Sequence, residues 1–168
     1  MRRIFVGDIQ GCYAQLNQLL DAVGFRIGED RLIPVGDLVN KGPDSEAVLD
    51  LVIKLNAEPV LGNHDLGWLA KGRAMPHHEE WLRQQPVLRL YDDLIAVHAG
   101  LHPAWDEAKL EHLTTDEYLA VNVRYCDASG KRPEKDWPPP GMPYRPWDDF
   151  YTGKKRVVFG HWARRGLV

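Results

Sequence analysis

At 168 residues, 44% hydrophobic and 27% charged, the chain is sized for a single domain spanning 1–168 with a substantial buried core. A net charge of -3 argues against gripping duplex nucleic acid as its main task, and no apolar run approaches the roughly 20 residues of a membrane span. Two cysteines, Cys12 and Cys126, fit a reducing compartment better than a disulfide scaffold, and Met1-Arg2-Arg3 leads straight into a strand rather than a signal peptide, so a cytoplasmic protein without membrane contact is expected.

Residues 3–8 read as a strand in which Gly7 turns the backbone so that Asp8 faces outward. A helix follows from Gly11 to about Val23, with Leu16, Leu19, Leu20 and Val23 along one face and Gly24 closing it. A second strand at 32–36 delivers Asp37. Asp44 or Ser45 caps the next helix, whose stripe is Val48, Leu51, Val52 and Leu55. The third strand, 58–61, runs into Gly62-Asn63-His64-Asp65. This β-α-β-α-β order predicts parallel strands with right-handed crossovers and a site beyond their carboxyl ends.

Helical segments are expected at 66–71 and at 78–85, the latter stopped by Pro86. Residues 87–98 read as a hairpin turning at Tyr91-Asp92-Asp93 and leaving at His98-Ala99-Gly100. Thr114 or Thr115 caps a helix to about Val123, ahead of Arg124-Tyr125-Cys126. Between Lys131 and Trp147 lie six of the twelve prolines, with Trp137, Tyr144 and Trp147, and this stretch reads as a long surface loop ordered by its aromatics. A last strand at 156–160 ends in His161.

Five strand ends therefore deliver Asp8, Asp37, Asn63, His98 and His161. Each alone is an ordinary turn residue or a partly exposed histidine. Together they supply the carboxylate, amide and imidazole donors that two divalent cations require, and several converging strands are needed to surround both. His64, beside Asn63, is placed to protonate a leaving group. Lys41 and Arg124 are candidate clamps for phosphate oxygens. His77, His78, His102 and His112 lack the strand-glycine context and are assigned no role.

Gly7-Asp8-Ile9-Gln10-Gly11, Gly36-Asp37-Leu38-Val39-Asn40-Lys41-Gly42, Gly62-Asn63-His64-Asp65, His98-Ala99-Gly100 and Gly160-His161 resemble, in order, the signature blocks of the calcineurin-like metallophosphoesterases, phosphoprotein-phosphatase type. Trp81-Leu82-Arg83-Gln84-Gln85-Pro86, Arg124-Tyr125-Cys126 and Phe159-Gly160-His161-Trp162-Ala163 further resemble the symmetrical bis(5'-nucleosyl)-tetraphosphatases. The resemblance implies an α/β four-layer α/β/β/α sandwich. It also implies two divalent ions, manganese by preference with cobalt, iron or zinc as alternatives, bridged by Asp37. Asp8, Gln10, Asn63, His98 and His161 would complete the ligands, His64 would be the acid, and Asn40, Lys41 and Arg124 would line the phosphate site.

The substrate so implied is a dinucleoside polyphosphate, diadenosine tetraphosphate split symmetrically into two ADP by a metal-activated water; whether a capped RNA end is also cleaved is left open. Oligomeric state is left open. Alternatives are a serine/threonine phosphatase of the same fold and a non-catalytic nucleotide-binding module.

Three departures from the family pattern bear on that choice. Gln10 replaces a histidine, a weaker ligand. Asn40 replaces the aspartate that pairs with the catalytic histidine in protein phosphatases; without that carboxylate the imidazole holds its proton less firmly. That handicaps expulsion of an alkoxide far more than of a nucleoside diphosphate. Lys41 replaces arginine, keeping charge and losing the bidentate fork. The family's closing strands are also expected beyond Val168, and the segment ahead of Trp81 is short.

Overall fold

Side chains alternate across a strand, so each strand here divides its apolar residues between two faces, and the layers follow from that division. Phe5, Ile33, Val35, Val60, Leu94, Ala96 and Val158 meet in one cluster. Ile4, Val6, Leu32, Ile95, Val97 and Val157 belong to the larger core that reaches the helices. The computed structural model describes residues 1–113 and 118–166.

Two sheets carry this pattern. Strand β1 (Arg2–Val6) pairs in parallel with β2 (Asp30–Pro34), setting Ile4 opposite Leu32 and Phe5 opposite Ile33. In the second sheet β3 (Leu88–Leu90) is antiparallel to β4 (Leu94–Val97), and β4 is parallel to β7 (Arg156–Val158). The first cluster is the seam between the sheets. The expected segment 58–61 is extended beside β2, with Glu58 N–H donating to Leu32 O at 2.9 Å and Val60 N–H to Pro34 O at 3.0 Å.

Helices cover the outer faces. Helix α1 (Tyr13–Ala22) packs on α2 (Ser45–Lys54), with α3 (Asn63–Ala70) and α4 (Pro76–Arg83) continuing that layer. On the other side α5 (Glu107–Glu111) packs against β3, followed by α6 (Tyr118–Asn122). The architecture is therefore an α/β/β/α sandwich, as the resemblance implies, rather than one open sheet. Val48, Leu49 and Val52 anchor α2, and full burial of such a side chain stabilises by roughly 1.5–3 kcal/mol.

Several local expectations change. In α1 only Leu16 and Leu20 are buried; Leu19, and Val23 just after the helix, are 40% and 36% exposed, so the buried stripe is narrower than the periodicity predicts. Helix α3 begins at Asn63, so Asn63, His64 and Asp65 form its first turn instead of preceding it. Helix α5 is unforeseen, and the cap expected at Thr114 or Thr115 lies outside the described residues.

The proline-rich loop returns through a short ribbon pairing β5 (Tyr125–Cys126) with β6 (Arg145–Pro146). Its aromatics serve different ends. Trp147 is buried, packing edge-on to Phe159 against Gly100, while Trp137 is exposed.

Candidate metal centre and cleft

Two residues after β2, Gly36, with a φ of +92°, turns the chain so that Asp37 follows in the left-handed region at +54°. A β-carbon on Gly36 would strike the His98 imidazole, and one on Gly62 would overlap the Asp37 carboxylate. These two glycines let three ligand-bearing segments close on one another.

Asp65 then fixes the junction. Its carboxylate accepts from the N–H groups of Asp37 and Leu38, both at 2.8 Å, and of Gly62 at 2.9 Å. Burial pushes its carboxyl up to about 7, with the Gly62 and Leu38 hydrogen bonds opposing the rise. Sequence reasoning gave Asp65 no role. The available signal was an acidic residue three positions after Gly62, able to satisfy free N–H groups at a helix start.

Around Asp37 the candidate ligands gather. His98 Nε2 lies 3.3 Å from Asp37 Oδ1, 3.2 Å from Asn63 Oδ1 and 3.2 Å from His161 Nδ1. The His161 N–H donates to Asp8 Oδ1 at 2.8 Å. Gln10 Nε2 lies 3.4 Å from the other Asp37 oxygen, Oδ2, so the two oxygens of Asp37 face two groups of ligands. Asp8, Gln10, Asp37, Asn63, His98 and His161 thus meet at one end of the sandwich.

The chemistry of these atoms suits a cation. His98 Nδ1 is 2.7 Å from Val35 O, so in the neutral ring the hydrogen sits on Nδ1 and Nε2 would face carboxylate and amide oxygens as a lone pair. Acceptors crowded together in this way require positive charge between them. Burial works against a charged His98 and an ionised Asp37, yet each outweighs that cost for the other: the imidazole is raised and the carboxyl lowered. His161 is driven down to about 3 by burial, then by the charges of His98 and Arg124, which keeps it in the neutral, ligating form. Its buried Nε2 has no hydrogen-bond partner among the described residues.

His64 stands beside this group. Its N–H donates to Asp37 Oδ1 at 2.9 Å, its Nε2 is 3.9 Å from Asp37 Oδ2, and its Nδ1 is 2.8 Å from Asn40 Nδ2. A cleft of about 800 Å³ opens from Asp8, Gln10 and His161 past Lys41 and Arg124 to Trp137. Arg124 Nη1 lies 3.2 Å from Asp136 Oδ2, and Nη2 donates to His161 O at 3.3 Å. The Arg164 guanidinium stacks 4.7 Å from the centre of the Trp137 ring. Asp136 and Arg164 were not foreseen; neither stands in a motif.

Backbone conformation marks the same place. Of the six non-glycine residues with positive φ among the described residues, five are Gln10, Asp37, Asn40, Lys41 and His161. Each such conformation costs of order 1–3 kcal/mol and persists where surrounding structure enforces it.

Comparison with known proteins agrees with this geometry. The model of the calcineurin-like phosphoesterase family matches residues 1–165. A symmetrical bis(5'-nucleosyl)-tetraphosphatase of Shewanella frigidimarina is 33% identical over 231 residues, covering 97% of this chain and 85% of that relative. One of Nitrosospira multiformis is 34% identical over 226 residues, covering 96% and 82%. Both alignments exceed 168 residues, so these relatives carry segments that this chain lacks. A crystal structure of a protein proposed to be a diadenosine tetraphosphatase superposes with a TM-score of 0.82 at 37% identity, covering 99% of this chain and 78% of the other. A protein serine/threonine phosphatase of Saccharomyces cerevisiae, at 17% identity and a TM-score of 0.54 over 73% of this chain and 45% of its own, shares the fold.

Proposed function

The chain belongs to the calcineurin-like phosphoesterase family, and on that premise we propose that it hydrolyses diadenosine tetraphosphate symmetrically to two ADP. It is a hydrolase by family. The observation that carries the substrate class is one cleft that runs from the edge of the carboxylate–imidazole cluster, at Asp8 and His161, past Lys41, Arg124, Arg164 and Arg165 to an exposed tryptophan.

Asp8, Gln10, Asp37, Asn63, His98 and His161 would hold two divalent ions, manganese by preference, with Asp37 between them. Ions held there supply charge neutralisation and acidify coordinated water. Lys41 and Arg124 bind the equatorial phosphate oxygens, and the Asp136 contact aims Arg124 into the cleft. His64 delivers a proton to the departing ADP. The Asn40 amide facing His64 can donate to a bare Nδ1 or, turned over, accept from a protonated one, so the ring is held in either state. A carboxylate there would favour only the charged ring. This supports a phosphoanhydride substrate, whose leaving group is already a stable anion, over a phosphoprotein.

Trp137, with Arg164 stacked on it, lies where a nucleobase extending from the phosphates would reach. Cytoplasmic location rests on Cys12 and Cys126 remaining thiols; among the described residues no helix is long and apolar enough to cross a membrane.

Chromatography of the products tests the reading: two ADP are expected under manganese, and ATP with AMP, or faster turnover of a phosphopeptide, would overturn it. His64→Ala should lower turnover at least 10-fold with manganese still bound, in line with general acid catalysis. Full activity in that variant would remove the acid assignment.

A further inference from the structure

The helical layer contains a second meeting of imidazoles and carboxylate. Asp50 lies on α2 and His77 and His78 lie in the first turn of α4, which packs against it. His78 Nε2 is 2.7 Å from Asp50 Oδ1, and His77 Nε2 is 3.6 Å from the same oxygen. The three donor atoms lie within 4.8 Å of one another. None of these residues belongs to the cleft or to the strand-end ligands.

One hydrogen bond from the buried His78 would suffice to tie α4 to α2. It does not account for His77. That side chain is 59% exposed, yet it turns its Nε2 towards the oxygen His78 already engages and sets its ring 3.9 Å from the His78 ring. A tetrahedral zinc ion with bonds of about 2.0–2.1 Å spaces its donor atoms about 3.3–3.4 Å apart. The separations of 2.7 and 3.6 Å bracket that value, so small side-chain rotations fit the set to an ion.

We propose that Asp50, His77 and His78 form a Zn²⁺ site, completed by water on its open side, that staples α2 to α4. Two imidazoles and one carboxylate are borderline donors and suit zinc better than the harder manganese or magnesium. The Asp50 carboxylate brings one negative charge to the site. That negative charge also offsets the repulsion between a cation and the N-terminus of α4. Asp50 lies on α2 and both histidines on α4, so an ion held there acts on the docking of these two helices.

That docking reaches the catalytic end. Ser45 opens α2, and its hydroxyl accepts the N–H of Asn40 at 2.9 Å. Pro86, just after α4, accepts the N–H of Leu61 at 2.8 Å, immediately before Gly62. The staple therefore holds the two helices against which the loop carrying Asn40 and the segment leading into α3 at Asn63 are seated.

Zinc bound per chain at equilibrium dialysis tests the site, comparing the wild type with His77→Ala and Asp50→Asn. Zinc also competes for the strand-end centre, but that centre is the same in all three proteins and cancels in the difference. The wild type should hold one more zinc than either variant, and zinc should raise its thermal midpoint further. His77 is exposed, so His77→Ala in EDTA should unfold at the wild-type temperature, which separates lost metal from lost fold. If it does not, His77→Gln takes its place in the same comparison. Equal zinc counts and equal midpoint shifts in wild type and the His77 variant would overturn the proposal, as would Asp50→Asn keeping the additional ion.

Discussion

At the scale of single residues, the strand-end centre depends on groups that never touch a substrate. Asp65 holds the Asp37, Leu38 and Gly62 backbones, and replacing it by Asn would set an amide N–H₂ against N–H donors. Leaving such a buried donor unsatisfied costs about 1–3 kcal/mol, so Asp65→Asn should lower stability by that amount in urea denaturation and weaken manganese binding in parallel. Gly36 is as constrained: Gly36→Ala combines a positive φ with overlap on His98. Left-handed conformations at Gln10, Asp37, Asn40, Lys41 and His161 store strain at the place where ligands are aimed.

Among elements, the proline-rich loop separates into a structural and a functional aromatic. Trp147 fills the core beside Gly100 and Phe159. Trp147→Ala should therefore cost about 3–5 kcal/mol of stability, read by chemical denaturation. Trp137→Ala should leave stability unchanged and raise the Michaelis constant for the dinucleotide; an unchanged constant would end its role as a base platform. The β1–β2 pair makes a different claim. Hydrogen bonds from Arg2, then from the Arg26 N–H, hold the Asp30 carboxyl below its ordinary range. A lowered folded pKa stabilises fully above the unfolded value of about 3.9 and is lost as pH falls through the folded one. Arg2→Ala should thus flatten the acid limb of the stability–pH curve and change little at neutral pH beyond a constant offset.

Across the whole molecule, the candidate ligands are shared by both sheets. Asp8 and Asp37 follow β1 and β2, whereas His98 and His161 follow β4 and β7. A cation bound among them ties the two halves of the sandwich and relieves acceptors that otherwise face each other. Manganese at 100 times its dissociation constant should stabilise the fold by about 2.7 kcal/mol, and EDTA should abolish both the gain and the activity. Equal unfolding curves with manganese and with EDTA would contradict a centre spanning the sheets.

What the amino-acid order determined by itself was the run of elements through α2, the hairpin at 87–98 and the set of candidate polar residues that follow glycine or a strand. Those signals are local: apolar periodicity, a glycine before a polar residue, and turn residues between strands. Only the tertiary structure decided that the strands divide into two sheets, that Trp147 is core and Trp137 is not, and that Asp65 serves Asp37. The same holds for Asp50 meeting His77 and His78 from another helix. The reason is physical: sheet pairing, burial of one tryptophan over another and convergence of side chains are set by contacts between residues distant in the chain, and no local pattern encodes the partner.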